Sequence, residues 1–592
     1  MNTPAPPHAA GRADTPVSAA DYHAEVVNPD DGTTIAITVM QPALDAGACA
    51  PLILHGHGFG GARLGGREQR SIYERLSGGL LPSAEAARRA AEAGYFVISF
   101  DQRGFGESAG NVELMDPARE GADIRAILDW AEQSMAHREH LACRDGRLVA
   151  GALGLSYGGG YQLIAACVDD RLSAIVPTAA WHDLSYSLAP DNVIKTTWGA
   201  GLVALGAPAS GIDLDPMLYR ALVEGLASPL TGQGLSDGVR DTLYNNSPAS
   251  FFDGRLARDG AFVSAPNKRR PPVVDALFIQ GVGDTLFNLN EAQANAEALR
   301  ANGCQAHVIG MRHGHSLPLL QNIDRIAYQT EAQLHWGSSQ YETAALELGY
   351  LDWKLKGHAL EHPIPPCTIS LDDGHGLSFD ELPRGRRAGG RRLEFKAQAV
   401  TGGLDLLLGL FRQDTLGGLS DLVRGTAANA RAAVQRLWDS RGREARPHDT
   451  GLLAQLVNAL PTEHLDELAS GGVFVSLSRI ERDDLAVIGI PEARVHITGD
   501  APSPVAFMGL GLKRAGRRAT LLINDQLRPI RGLGTRDIRL NGVAERLYEG
   551  DELGLLIYGF HPQFLTSFSA IPGRLKVRGW IDLPLIERTD RR

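Results

Sequence analysis

The chain has 592 residues, 44% hydrophobic and 21% charged, with a net charge of −11. That is ample material for a large core in several domains, and the balance is that of a globular protein. An acidic total argues against nucleic acid as a main partner, since phosphate binding needs a basic face. The five cysteines (Cys49, Cys143, Cys167, Cys304 and Cys367) are scattered, with no C-x-x-C pair, so neither a disulfide framework nor a zinc site is indicated and a reducing compartment is expected.

Residues 1–21 are Pro/Ala-rich and lack the apolar core of a secretory signal, so they read as a disordered lead-in and the expected location is cytoplasmic, with a processed precursor as the alternative. No apolar run approaches the ~20 residues that span a bilayer. Residues 22–42 alternate around Asp30-Asp31-Gly32 and predict a β-hairpin. A buried strand at 51–54 runs into His55-Gly56-His57-Gly58-Phe59-Gly60-Gly61. A Gly-rich loop at that edge suits an oxyanion donor, for which the His57 N–H is the candidate. Two rivals are weaker: a phosphate loop lacks its G-K-[ST] ending, and a metal-binding His pair has no carboxylate nearby in sequence.

A helix at 82–93 and a strand at 95–100 follow, then Asp101 to Ser108 as a structural turn beside the active face, then a sheet-covering helix at 118–136. The apolar run 148–153 leads into Gly154-Leu155-Ser156-Tyr157-Gly158 and a helix-like segment. This is the strand, sharp turn and helix of a G-x-S-x-G nucleophile elbow, with Ser156 as nucleophile and the Tyr157 N–H as second oxyanion donor. A strand at 172–178 precedes a mixed stretch, 181–270, that would form a cap; its aromatics (Trp181, Tyr186, Trp198, Tyr219, Tyr244, Phe251 and Phe252) read first as the cap's own core.

The sheet resumes at 273–279, and Asp284 follows on a Gly-containing loop where the triad acid belongs; Asp275 lies too early, within the strand. A helix at 291–300 and a strand at 306–311 lead to Arg312-His313-Gly314-His315-Ser316, where His315 is preferred as base over His313. Ser156, Asp284 and His315 thus follow the Ser, acid, His order of an α/β-hydrolase. A long helix is predicted over 322–356 with Gly357 as its stop. Pro363 to Pro366 reads as a domain boundary. Beyond it, short strands at 368–371, 473–477, 493–497, 519–523, 554–558 and 574–581 predict a β-sandwich, interrupted by a helical insertion at about 403–470 that would pack on the sandwich or cap, or lie on a membrane.

The elbow GLSYGGG, the loop FDQRGFGES, the helix end LDWKLKG and the C-terminal stretches GIPEARVHITGD and YEGDELGLLIYG together resemble the X-prolyl dipeptidyl peptidase and cocaine-esterase (CocE/NonD-like) superfamily. The resemblance implies a serine hydrolase: a doubly wound, mainly parallel α/β-hydrolase sheet (22–180 and 271–360), a helical cap (181–270), and a C-terminal jelly roll (361–592) that supplies no triad member. It further implies Ser156 as nucleophile, Asp284 as orienting acid and His315 as base, with no metal or organic cofactor. The best-known members place a tyrosine hydroxyl in the oxyanion hole. Here the equivalent stretch is HGHGFGG, so a hole of backbone donors, His57 and Tyr157, is expected. The expected substrate is a small ester. An X-Pro dipeptidyl peptidase is the alternative, with Asp183, Asp191 and Asp253 as candidates to bind a free amino terminus. A transacylase, or a carbohydrate-binding protein with an inactive hydrolase half, are further readings. Homo-oligomers are compatible with all of them.

Overall fold

The computed structural model describes residues 7–9, 11, 13–66, 81–210, 214–231, 233–265, 269–315, 333–336, 339–360, 363–371, 375–386, 391–401, 472–501, 504–517, 520–564 and 573–587. Its centre is a ten-stranded sheet. The strands are β1 (Ala20–Val27), β2 (Thr34–Gln41), β3 (Leu52–Gly56), β4 (Phe96–Phe100), β5 (Ala150–Leu155), β6 (Leu172–Thr178), β7 (Asp275–Gly281), β8 (Ala306–Met311), β9 (Cys367–Ser370) and β10 (Gly376–Phe379). Across the sheet they run β10-β9-β8-β7-β6-β5-β3-β4-β2-β1. The pairs from β4 to β9 are parallel, and the antiparallel pairs are β9–β10 at one end and β4–β2 and β2–β1 at the other. Parallel strands covered on both faces read as continuous apolar runs, and β3, β4 and β5 are buried along their whole length. The predicted first hairpin is β1 and β2.

Helices α1 (Pro82–Glu92), α2 (Glu120–Gln133), α3 (Tyr157–Val168), α7 (Leu289–Ala301) and α8 (Thr343–Leu351) cover the sheet. Small residues let α1 approach closely: Ala84, Ala86, Ala87 and Ala90 are its buried face. Between β6 and β7 the chain builds the cap from α4 (Thr196–Ala209), α5 (Pro216–Thr231), α6 (Asp237–Asn245), three short helices and a hairpin. Trp181, Trp198, Tyr244 and Phe251 are buried, as expected of core residues.

The C-terminal domain is a β-sandwich. One sheet pairs Arg391–Thr401, Arg574–Leu583, Glu492–Gly499 and Gly534–Arg539; the other is built on Val473–Arg479, Glu552–Tyr558 and Val505–Lys513. Val495, Ile497 and Val577 of the first share one core with Met508, Leu510, Leu555 and Ile557 of the second. Among the described residues no helix is long and apolar enough to cross a membrane.

Four expectations need correcting. The predicted boundary at 361 falls too early, because β9 pairs parallel with β8 and buries Cys367 and Ile369 in the hydrolase core. Part of the predicted helix 322–356 is instead a hairpin, Gln333–Trp336 with Ser339–Glu342, whose short runs flank a Gly-Ser pair; residues 322–332 lie outside the described residues. The strand predicted at 519–523 shrinks to Leu521–Leu522, followed by a helical turn, Ile523–Asp525, with Asn524 at φ 52°. The N-terminal stretch is not wholly without structure: His8–Ala9 pairs with Ala142–Arg144, and Val17 bridges to Leu44. The predicted insertion at 403–470 lies outside the described residues.

Candidate active site

Strand β5 ends at Leu155 and helix α3 begins at Tyr157, so Ser156 alone makes the turn, at φ 61° and ψ −115°. That left-handed backbone is strained for a residue with a side chain and persists because its surroundings fix it. The Ser156 N–H donates to the Thr178 carbonyl at 2.8 Å, and its own carbonyl accepts from Gly159 and Gly160. Helix α3 must also lie almost on β3. A Cβ on Gly158 would stand 2.0 Å from the Gly56 carbonyl oxygen, so only glycine fits there.

The hydroxyl of Ser156 lies 2.8 Å from His315 Nε2, and His315 Nδ1 lies 2.6 Å from Asp284 Oδ2. A carboxylate can only accept, so Nδ1 carries the proton and Nε2 is left to accept from the serine. Asp284 is wholly buried. Its Oδ1 accepts from the Leu286 and Phe287 N–H groups, and Oδ2 also takes the His315 N–H at 3.0 Å. Four donors therefore hold the carboxylate and aim it. His313, the rival base, makes no such contact with Ser156, and its carbonyl packs against Gly281. Asp275 stands at the start of β7, where it pairs with Lys354.

The two expected oxyanion donors flank the serine differently. Tyr157 is the first residue of α3, where backbone N–H groups have no carbonyl within the helix to serve and the helix dipole favours negative charge. His57 is fixed by its neighbours: its Nδ1 donates to the Gly58 carbonyl at 2.7 Å, its Nε2 accepts from the Gln102 N–H at 3.0 Å, and the Gln102 amide donates to its carbonyl oxygen. Both ring nitrogens are thus spent, and burial lowers its pKa, so the imidazole serves as a brace and not as a metal ligand. Among the described residues no group of three or more His, Cys, Asp or Glu side chains is placed to hold a metal. The Asp101 to Ser108 loop is a structural turn: Asp101 accepts from the Arg63 and Glu107 N–H groups.

Apolar rings wall the line from Ser156 to His315 and Asp284. Phe287 and Trp198 stand edge-on to the His315 ring at 5.3 and 6.1 Å, and Trp181 lies between Phe287 and Tyr157. Phe59 packs against Tyr157 at 5.3 Å. The Tyr157 hydroxyl donates to Glu120, whose carboxyl is pushed up to about 8 by burial. The candidate cap acids are engaged elsewhere. Asp183 caps its own short helix, Asp253 accepts from the Tyr244 hydroxyl, and Asp191 accepts from the Arg531 N–H.

Sequence reasoning missed Lys195 and Gln526, which bear on the acid, and read Trp198 only as part of the cap's core. Lys195 of the cap donates to the Thr285 and Leu286 carbonyls at 2.8 and 3.0 Å. Burial lowers its pKa to about 8, against the pull of Asp284 and Glu291. Trp198 Nε1 donates to the Thr285 hydroxyl. Gln526, from the C-terminal domain, donates to the Asp284 carbonyl. No motif announces any of them.

Residues 31–316 match the sequence profile of the X-Pro dipeptidyl-peptidase (S15) family. A 133-residue stretch is 36% identical to an uncharacterized 31.7 kDa protein of the traX–finO intergenic region of Escherichia coli, covering 22% of this chain and 38% of that one. A 168-residue stretch is 29% identical to the quorum-quenching protein AidA of Acinetobacter baumannii (strain MDR-ZJ06), covering 28% of this chain and 48% of that one. The chain therefore spans less than half the length of either relative. Three solved structures match over 96% of the chain. An aminopeptidase from a marine sediment archaeon (Thaumarchaeota archaeon) does so with a TM-score of 0.56 at 13% identity over 97% of its chain. A CocE/NonD family hydrolase from Staphylococcus aureus has a TM-score of 0.55 at 11% identity over 97% of its chain. An α-amino acid ester hydrolase has a TM-score of 0.55 at 12% identity over 98% of its chain. At such identities the likeness is one of fold. The profile match thus extends over the hydrolase region, and the chain shares its overall architecture with these hydrolases.

Proposed function

We propose that the protein cleaves carboxylic esters through an acyl-serine intermediate, with Ser156 as nucleophile, His315 as general base and Asp284 as orienting acid. The observation that carries this is the continuous line from Ser156 to His315 to Asp284, at 2.8 and 2.6 Å. His315 Nε2 takes the hydroxyl proton as Ser156 attacks the carbonyl, and Asp284 stabilises the imidazolium that forms. The Tyr157 and His57 N–H groups receive the developing oxyanion, each worth roughly 3 to 4 kcal/mol of barrier. The leaving alcohol departs with the proton from His315. Water, activated by the same imidazole, then releases the acid and frees Ser156.

An uncharged ester is favoured over an X-Pro peptide by two features. The rings about His315 are apolar, and each acid proposed to bind a free amino terminus already has a partner. The test compares p-nitrophenol release from a short-chain ester with p-nitroaniline release from an Ala-Pro anilide, in wild type and Ser156→Ala. Ester turnover that falls at least 10³-fold in the variant, with the anilide untouched by either protein, is expected. Rapid anilide cleavage by wild type, lost in the variant, would replace the esterase with the peptidase. Full ester turnover in Ser156→Ala would remove Ser156 from the mechanism.

A further inference from the structure

We infer that Gln526 is a positioning residue for the triad: from the C-terminal domain, its amide holds the loop that carries Asp284. The inference rests on the triad proposed above. Gln526 is 2% exposed. Its Nε2 donates to the Val282 carbonyl at 3.0 Å and the Asp284 carbonyl at 2.9 Å. Its Oε1 accepts from Asn541 Nδ2 at 3.0 Å, and that same nitrogen also donates to the Leu527 carbonyl at 3.2 Å. This network fixes which end of the amide is which. A flipped amide would set Oε1 against two carbonyl oxygens and its NH2 against another NH2.

Val282 and Asp284 straddle Gly283, and the amide spans the pair like a staple. From the cap, Lys195 takes the next two carbonyls, those of Thr285 and Leu286. The loop bearing the acid is therefore gripped through its carbonyls by two parts of the molecule outside the sheet, while its side chain faces His315. Removing the Gln526 amide takes this donor from two buried carbonyls and leaves Asn541 Nδ2 only the Leu527 carbonyl, and a buried polar group left unpaired drives the backbone to move. A displacement of about 1 Å at a catalytic group costs on the order of 10²-fold in rate.

The test uses the full chain carrying Gln526→Leu, with p-nitrophenyl butyrate hydrolysis followed across pH. For a folded variant, kcat should fall about 10- to 100-fold with KM within about twofold. The acid limb of kcat/KM should move to lower pH, because a misplaced Asp284 no longer stabilises the His315 imidazolium. A merely structural role would not move that limb. Wild-type kcat with an unmoved limb, or a rise in KM alone, would overturn the inference. If Gln526→Leu does not fold, Asn541→Ala decides: it keeps the Gln526 amide but frees its orientation, and a severalfold kcat loss with the same shift of the limb is expected. Wild-type behaviour there overturns the inference. Ester turnover surviving Ser156→Ala would instead overturn the triad itself, which separates the two failures.

Discussion

At the scale of single residues, the site is built by steric exclusion as much as by hydrogen bonding. Ser156 can hold φ 61° because glycines let α3 and β3 close around it. Alanine at position 158 would press its Cβ onto the carbonyls of Gly56 and His57, at 2.0 and 3.0 Å. Because these are backbone atoms, the strand or the helix must move. Gly158→Ala is expected to cost about 2 to 3 kcal/mol of stability and more than tenfold in ester turnover, since the N–H of the adjoining Tyr157 moves with the helix. Denaturant unfolding and steady-state rates check both; a variant with wild-type midpoint and rate would contradict this picture. The juxtaposition of Ser156, His315 and Asp284 was legible in the sequence because each residue follows an apolar strand and the elbow has its own glycine spacing. Gln526 was not. It lies 242 residues from Asp284, and a glutamine beside a short strand has no pattern that announces its partner. The choice of His315 over His313 needed geometry, since both histidines flank the same glycine.

At the scale of elements, the apolar runs that mark parallel strands gave the sheet and its order of connections, and the errors have physical reasons. Strand β9 was assigned to the wrong domain because a four-residue strand, Cys-Thr-Ile-Ser, after a Pro-rich stretch looks the same in either sheet. Only pairing with β8 decides between them. Helix α8 carries a second feature invisible to pattern. Glu347 is fully buried between α8 and the sheet, accepts from the Ser83 and Thr178 hydroxyls at 3.1 and 3.3 Å, and is pushed up to about 8 by burial. An unfolded glutamate releases its proton near its ordinary value of 4.5. Between those two values the folded state holds a proton the unfolded state does not, so the stability Glu347 contributes is complete below about 4.5 and lost as pH rises through about 8. Glu347→Gln removes that titration. The denaturant midpoint of wild type should fall relative to that of the variant from about pH 5 to pH 8. Parallel curves would contradict a protonated Glu347.

At the scale of the whole molecule, three parts meet at one loop. The sheet supplies the serine and histidine turns, while the cap and the sandwich each grip the carbonyls around Asp284. The sandwich is further tied to the catalytic domain where Asn290 of α7 donates to the Leu540 carbonyl and accepts from the Gly542 N–H. On the account proposed above, these contacts give the sandwich a part in the site although Ser156, His315 and Asp284 all come from the catalytic domain. The architecture was legible as a list of parts, but not the contacts between them, because an interface made of backbone carbonyls leaves no trace in side-chain pattern. The most direct measurement is covalent labelling of Ser156. Treated with a fluorophosphonate ester, the native protein should gain one phosphonyl group on the peptide containing Ser156, lose ester turnover in step, and remain unlabelled as Ser156→Ala. Full inactivation with the label on another residue, or no labelling of an active protein, would contradict the acyl-serine account.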